Sequence, residues 1–525
     1  MADELKRFTE TLENSLKPGA SKSLEEHGNC VWVNVRQSDL LQACHYCMAD
    51  GAIFDSAFIS SRGNEPSNSF VVYYLFRSET IGKMVVVQSQ GKEFDALSTT
   101  VNAARWDERK MQDLTGLKFT NIPDSRPLIF HPESEIPDKH PIGGRPLVKP
   151  KTHDYPIAGT GMEGEFQIAV GPVHAGIIEP GHFRFHVLGE QINKLETRMF
   201  YLHRGIEKSL EGKNLVESLP MIEQISGDES VANSVAFCHA AERALSLSAP
   251  KRAEFIRAIL MELERIYSHL ADLGGMPTDV GFYFAASRFA VLREDMMRLN
   301  QQVSGNRFLR GVCAVGGVTS DLDKDKLSTI TKTLDDFLKR FEAIEHTTLT
   351  SSTYLDRVFS TGKVPKKAAE DLALVGPVAR ACGINCDLRL SLPYSIYSDA
   401  PFNESREENG DVLSRFLVKA NEVKESVKII KWLVHNLPSG GLNCSMKLPS
   451  TEESAYFGVG WTEAPRGGST FLIEISDSGK INRLACRTPS FRNWRGIETC
   501  TDGNIVPDFP LINKSFNMSY AGTDL

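Results

Sequence analysis

Between residues 132 and 156 the chain reads PESEIPDKHPIGGRPLVKPKTHDYP, with six prolines and a Gly-Gly pair. Proline fixes φ and has no backbone N–H, so no regular helix or central strand runs through such a stretch. The 525-residue chain is in any case too long for one ordinary core. We therefore place one domain at 1–131, a proline-rich linker at 132–156 and a second domain at 157–525.

The two sides differ in pattern. Before the linker, the strand-like segments FVVYYLF (70–76) and KMVVVQS (83–89) alternate with helix-like ones such as SDLLQACHYCMADG, which predicts an α+β domain. After it helices dominate. Phe255, Ile259, Leu263, Ile266 and Leu270 fall on one helical face, predicted to be core, while Glu254, Arg257, Glu264 and Arg265 lie mostly elsewhere. Leu413, Phe416, Ala420, Val423, Val427 and Ile430 keep three-four spacing, which predicts a helix packed lengthwise in a bundle. STFLIEISD (469–477) and KINRLACR (480–487) read as a strand pair turned at Ser478-Gly479.

A formal charge of -8 without long basic blocks argues against nucleic acid as the main partner. No apolar run approaches the roughly 18–20 residues of a membrane span, and MADELKRFTETLENSL is too charged for a signal peptide. The expectation is a cytoplasmic chain, carried to a membrane only by partners. Its ten cysteines are expected reduced. Cys44 and Cys47, with His45 between them, have metal-ligand spacing, but one pair cannot complete a tetrahedral site. They read as helix cysteines, Cys382 and Cys386 as packed in a turn, and Cys238 as a small apolar filler.

WDERKMQDLTGLKFTNIPDSRPLIFHP (106–132) resembles the signature of the small hydrophilic subunit of respiratory complex I, through Glu108, Arg109, Asp113, Gly116, Phe119, Pro123, Asp124 and Arg126. GPVHAGIIEPGHFRFHV (171–187) and FYLHRGIEK (200–208) resemble the large subunit shared by complex I and the group 4 membrane-bound nickel–iron hydrogenases. The likeness continues through ILMELERIYSHLADLG, GPVARACGINCDLR, GDVLSRF, EAPRGG and RTPSFRNW, in the fusion order of formate-hydrogenlyase-type subunits. It implies an N-terminal α+β domain followed by a mainly α-helical domain, like the large subunit of nickel–iron hydrogenases, with small β-sheets.

Against that family pattern, Ser226 and Glu229 fall where the first pair of metal-binding thiols belongs, and Ser519 and Gly522 where the second pair belongs. Asn233 replaces a histidine. Nickel and iron in such a site are held by soft thiolates, for which these residues offer no substitute, so no metal is expected. Complex I shares that loss and uses the vacated cavity for quinone. Its headgroup histidine, however, falls at Pro180 and its partner tyrosine at Gly227.

The resemblance nominates Glu179, at the hydrogenase proton-transfer glutamate, as a proton carrier in a secluded pocket, the alternative being a salt bridge to an arginine. Asp228 and Glu229 either handle protons or cap the following helix. Arg466 matches an arginine above the metal site and is expected to pair with Glu179 or Asp228. His174 and His182 are candidates for a quinone pocket, and His203 reads as a satisfied hydrogen-bonding residue.

Two functions follow from the resemblance. The first is a peripheral-arm subunit of a membrane-bound, complex I-like or hydrogenase-4-like oxidoreductase, of NADH-quinone oxidoreductase type at the level of the complex, whose cavity serves quinone or proton coupling. No cofactor is expected on this chain itself, which shows no cluster motif and no nucleotide-binding fingerprint. An iron–sulfur small subunit and antiporter-like membrane subunits are its implied partners, at the cytoplasmic face of the inner membrane. The second is a non-redox structural or proton-gating subunit that kept the scaffold and lost the chemistry.

Overall fold

The computed structural model describes residues 2–15, 21–27, 29–62, 68–132, 135–151, 157, 159–174, 178–446 and 455–525. Helix α1 (Ala2–Ser15) precedes strands β1 (Ser21–His27) and β2 (Cys30–Val35), helix α2 (Leu40–Ala49), and strands β3 (Ile53–Arg62), β4 (Ser69–Ser78) and β5 (Lys83–Gly91). The five strands form one mixed sheet in the order β1-β2-β5-β4-β3, with only β2 and β5 parallel. β4 and β5 contain the two apolar segments that read as strands; β4 is buried at every position but its first, and β5 at Met84–Val87 and Ser89. Two short parallel strands, β6 (Glu93–Asp95) and β7 (Lys118–Thr120), flank helix α3 (Arg105–Thr115).

The signature around α3 is structural cement. Glu108 is buried and accepts hydrogen bonds from the Tyr74 hydroxyl at 2.7 Å, Leu97 N at 2.7 Å and Ser98 N at 3.2 Å. Asp113 accepts from Leu128 N and Ile129 N at 2.7 and 2.6 Å, folding the following loop back onto the helix. The proline-rich stretch is docked there too: His140 Nδ1 meets the Asp113 carbonyl at 2.6 Å, and Ile142 N donates to the Leu114 carbonyl at 2.9 Å. Cys44 and Cys47 are buried in α2, and His45 bonds to the Thr100 hydroxyl at 2.7 Å.

The remainder is mostly helical. An antiparallel sheet of β8 (Phe166–Val170), β9 (His182–Leu188) and β10 (Gln191–Arg198) leads into α4 (Ile206–Ser209), α5 (Leu215–Ile222), α6 (Ser230–Ala244), α7 (Lys251–Asp279) and α8 (Tyr283–Ser304). The strand pair β11 (Cys313–Ala314) and β12 (Gly317–Val318) precedes α9 (Lys324–Leu349). Four short helices, α10 (Ser352–Val358), α11 (Lys366–Asp371), α12 (Gly376–Arg380) and α13 (Leu388–Ser391), then reach α14 (Val412–His435). Strands β13 (Ala455–Ala464), β14 (Gly467–Ser476) and β15 (Ile481–Arg487) form an antiparallel sheet, followed by α15 (Pro489–Cys500), α16 (Phe509–Phe516) and α17 (Tyr520–Asp524). Strand β13 was not anticipated; the β14–β15 pair was.

Helices α7 and α14 pack against each other in the bundle, and all but Leu413 of the residues named in the two predicted stripes are buried. Three of the four charged residues named on α7 are buried as well, because α6, α8, α14 and α16 surround the helix, and Glu254 is half-buried. Arg257, Glu264 and Arg265 have no exposed surface. They survive burial because partners satisfy them: Arg257 grips Glu242 at 2.6 Å and Glu254 at 2.7 Å, and Arg380 joins Glu422 and Glu463, each at 2.7 Å. Helix α6 lies directly on β13. A Cβ on Gly458 or Gly460 would stand 2.0 Å from the carbonyl oxygen of Ala240 or Ala236, so only glycine permits that approach.

The two halves meet across ion pairs removed from water. Lys110 reaches Glu207 at 2.7 Å, Arg487 reaches Asp55 at 2.5 Å and Arg492 reaches Asp107 at 3.2 Å. One contiguous apolar core contains residues from α1 through α17. Among the described residues no helix is long and apolar enough to cross a membrane.

Candidate functional site

The EAPRGG segment is the tip of the β13–β14 hairpin: Ala464 pairs with Gly467, leaving Pro465 and Arg466 as its two-residue loop. Gly376 (φ +66°) runs against this tip, and a Cβ there would stand 2.1 Å from the Arg466 carbonyl oxygen. The tip is thereby fixed, and it aims Arg466 at the turn before α6. Arg466 Nη1 donates to Asp228 Oδ1 at 2.9 Å and Nη2 to Asp228 Oδ2 at 2.7 Å. Glu229 accepts from Arg466 N at 3.2 Å and lies 3.4 Å from its Nη1.

Neighbours complete the cluster. The Ser226 hydroxyl donates to Asp228 at 3.1 Å and the Tyr267 hydroxyl to the Asp228 carbonyl at 3.2 Å. Arg466 Nε meets the Asn517 carbonyl, the Asn517 amide meets Asp272, and Asp272 pairs with Lys419 at 2.5 Å. A buried polar chain thus runs from the turn before α6 into the helix bundle.

The two adjacent acids are held differently. Burial pushes the Asp228 carboxyl up, but the Arg466 guanidinium outweighs it and leaves the pKa below its ordinary value. For Glu229 burial prevails, despite Arg466, and its pKa is raised. Neither side chain caps α6, so the capping alternative is corrected. Glu264 of α7 does that work, accepting from Val231 N at 2.7 Å and Ala232 N at 2.9 Å. Because Glu264 is fully buried, its pKa is raised well above the ordinary value, and the negative charges of Glu229 and Asp228 add to the shift.

The positions expected to align with the family's metal-binding thiols lie close together around Gly522. An ideal Cβ on Gly522 would lie 3.1 Å from Ser519 Oγ, 3.2 Å from Ser519 Cβ and 3.3 Å from Ser226 Cβ. Glu229 N bonds to the Ser226 carbonyl at 3.2 Å. Around Gly522 the chain packs closely, and an added methyl group there would be crowded. The donor set is two hydroxyls, a glycine and a carboxylate held by arginine, which does not fit a soft nickel–iron centre.

Glu179 stands apart from Arg466. It lies on the segment before β9, exposed on this chain rather than secluded, and its Oε2 accepts from Ala521 N at 2.8 Å. Its charge is felt by Arg204, Tyr520 and Asp524. Asp524, which sequence reasoning did not single out as a site residue, is buried and accepts from Leu202 N at 2.9 Å. Burial foremost, with the nearby Glu179 charge, pushes its carboxyl up to about 7. His203 Nδ1 bonds to the Asp524 carbonyl at 2.6 Å, a satisfied histidine as expected. His174 is exposed with its ring edge against Phe183, and His182 is buried with Nδ1 3.3 Å from the Gly171 carbonyl.

Comparison with known proteins gives two family matches in series. Residues 33–157 match the respiratory-chain NADH dehydrogenase 30 Kd subunit and residues 279–457 the 49 Kd subunit. Formate hydrogenlyase subunit 5 of Escherichia coli is 31% identical over 472 residues, covering 87% of this chain and 82% of that protein. Hydrogenase-4 component G of Escherichia coli is 31% identical over 474 residues, covering 87% and 81%. An NADH-quinone oxidoreductase subunit of Dehalococcoides mccartyi is 31% identical over 366 residues, covering 68% and 98%.

Proposed function

The chain belongs to the family of fused complex I- and hydrogenase-type large subunits, with 30 Kd- and 49 Kd-type regions in one polypeptide, and from that premise we propose that it is the peripheral-arm subunit of a membrane-bound, hydrogenase-4-like oxidoreductase. It acts only within the complex, as an oxidoreductase subunit. The observation that carries the site assignment is the convergence of Ser226, Glu229, Ser519 and Gly522 beside the Arg466–Asp228 pair. That convergence supports reading them as the ancestral metal position, and their chemistry supports a site without nickel–iron. Electrons arrive from an iron–sulfur cluster on a small subunit and pass to a quinone-like carrier. Attachment to the membrane is through partners, on its cytoplasmic side.

Within this reading the residues divide the work by charge state. Arg466 stays cationic and Asp228 anionic, so together they offer a fixed dipole at the turn before α6. Burial raises the pKa of Glu229 despite Arg466, and that of Glu264 well above its ordinary value, which makes these two the proton-exchanging groups beside that dipole. Glu179 faces outward near Asp524 and exchanges protons with whatever covers the site. His174 and His182 flank the same loop and are the quinone contacts in this scheme.

The purified membrane complex tests the proposal. It should contain this chain with an iron–sulfur small subunit and antiporter-like membrane proteins, and should reduce a soluble quinone. Stoichiometric nickel by elemental analysis, or hydrogen uptake by the complex, would overturn the assignment. Recovery of the chain as a free monomer from cells that express the partners would remove its basis.

A further inference from the structure

A cavity of about 200 Å³ lies where four segments of the chain surround it, away from the Arg466 cluster. Helix α3 supplies Arg105 and Arg109, the loop after β7 supplies Arg126, and α15 supplies Arg495. The β9–β10 hairpin supplies Arg184, Lys194 and Arg198. Among the described residues the carboxylates that oppose them are Asp124, Glu196 and Glu498, so seven cations against three carboxylates leave an excess of four positive charges there. This excess stands in a chain whose formal charge is -8.

The three carboxylates are already engaged. Asp124 holds both Arg109, at 3.1 Å, and Arg126, at 2.8 Å. Glu196 holds Lys194, and Glu498 accepts from Thr197 N at 2.9 Å and from its hydroxyl at 2.7 Å. The Nε atoms of Arg105 and Arg184 are buried and have no hydrogen-bond partner among the described residues. Arg495 donates to the carbonyl and side-chain oxygens of Asn102. Burial first, and then the neighbouring Arg105 and Arg109, bring its pKa down to about 10 despite Glu498. Guanidinium groups gathered with too few anions are strained electrostatically, and an anion in their midst relieves that strain.

We propose that this cavity binds a compact multivalent oxyanion of the phosphate class through Arg105, Arg184 and Arg495. Its volume falls below the roughly 300–1,000 Å³ typical of sites for drug-sized ligands, so the occupant is small. Arginine suits it, since the planar guanidinium meets phosphate oxygens with paired hydrogen bonds. A free phosphate or diphosphate and the phosphate of a lipid headgroup share this chemistry.

The test uses the full chain titrated with pyrophosphate, orthophosphate and acetate at matched ionic strength, followed by calorimetry and thermal unfolding. Parallel sedimentation uses phosphatidylglycerol and phosphatidylcholine vesicles. Saturable pyrophosphate binding that raises the melting temperature is expected, weakened about tenfold or more by Arg105→Gln or Arg184→Gln. The exposed control Lys367→Gln should leave it unchanged. Binding to phosphatidylglycerol vesicles that pyrophosphate displaces assigns the headgroup as the source, and pyrophosphate binding without vesicle binding assigns a free anion. Hydrogen exchange on the unsubstituted chain serves where a variant fails to fold: pyrophosphate should protect amides of β9, β10 and α3. Absence of saturable binding in every arm, binding indifferent to both arginine variants, or protection confined to other segments would overturn the proposal.

Discussion

Arg466 and Asp228, 238 residues apart in sequence, meet through two parallel hydrogen bonds of 2.9 and 2.7 Å. The pair ties the β13–β14 hairpin tip to the turn that opens α6, and the same guanidinium reaches Glu229 at 3.4 Å. One cation thus serves two neighbouring acids, with the carboxyl of Glu264 behind them at the helix N-terminus. The cluster is balanced only while the arginine is present.

Arg466→Met should cost up to about 3–5 kcal/mol at neutral pH, the range for removing one partner of a buried pair, because it leaves the buried Glu229 and the part-exposed Asp228 without their cation. Arg466→Lys keeps the charge without the paired bonds and should fall between. The pH dependence has a definite sign. In the wild type Asp228 is held below its ordinary value, so its stabilisation is present above the unfolded pKa and lost as pH falls through the folded one. Without Arg466 both carboxyls take up protons more readily when folded, so the deficit of the Met variant should shrink on going from about pH 7.5 to about pH 5. Urea unfolding at the two pH values measures it; an equal deficit at both would contradict the account.

Asp524 carries a second pH signature. Its folded pKa, about 7, lies above that of an unfolded aspartate, so the native chain binds the extra proton and stability falls as pH rises from about 4 through 7. Asp524→Asn removes this titration and retains an oxygen for Leu202 N. The variant should be flatter in stability across that window and gain on the order of 1–3 kcal/mol over the wild type near pH 8. Parallel stability curves for the two proteins would show that Asp524 does not titrate there.

Periodicity made the helices legible where one face meets the core, as from Leu413 to Ile430. It misjudged α7, because a helix enclosed on every side buries its charged face as well: Arg257, Glu264 and Arg265 looked peripheral by pattern and are fully buried. The cap on α6 was unreadable for the same reason. Asp228 and Glu229 are local to the helix start, and nothing in the sequence says that a carboxylate 33 residues away reaches Val231 N instead. The signal available was Glu264 itself, inside a segment of family likeness. Arg466 was placed correctly among two possible partners, since motif likeness brings segments together. The exposure of Glu179 was not readable, because seclusion depends on what the surrounding surface, or a partner, adds.

Gly376→Ala tests whether the hairpin tip positions Arg466. With φ at +66° and the Arg466 carbonyl oxygen 2.1 Å from an ideal Cβ, the tip must shift if a methyl group is added. Stability should fall by about 2 kcal/mol or more from backbone strain and displacement together. Combined with Arg466→Met the losses should not add, because the pair is already gone. Additive losses in the double variant would mean that Gly376 acts independently of the arginine.

Glu179 provides the functional test. Its Oε2 accepts from Ala521 N at 2.8 Å, and its charge acts on Arg204 and Asp524. Glu179→Gln keeps an acceptor for Ala521 and the shape of the side chain while removing the proton-binding group. Folding and assembly should therefore persist, while quinone reduction or ion transport by the complex should drop about tenfold or more, equivalent to ~1.4 kcal/mol on the barrier. Glu179→Asp retains a titratable group set back by one methylene and should keep part of the rate. A shift in the pH profile separates this role from a structural one, since losing the Ala521 hydrogen bond alone would not move it. If the Gln variant assembles normally and turns over at the wild-type rate from about pH 6 to 8, protons reach the Glu229–Glu264 region by another route and Glu179 only anchors α17.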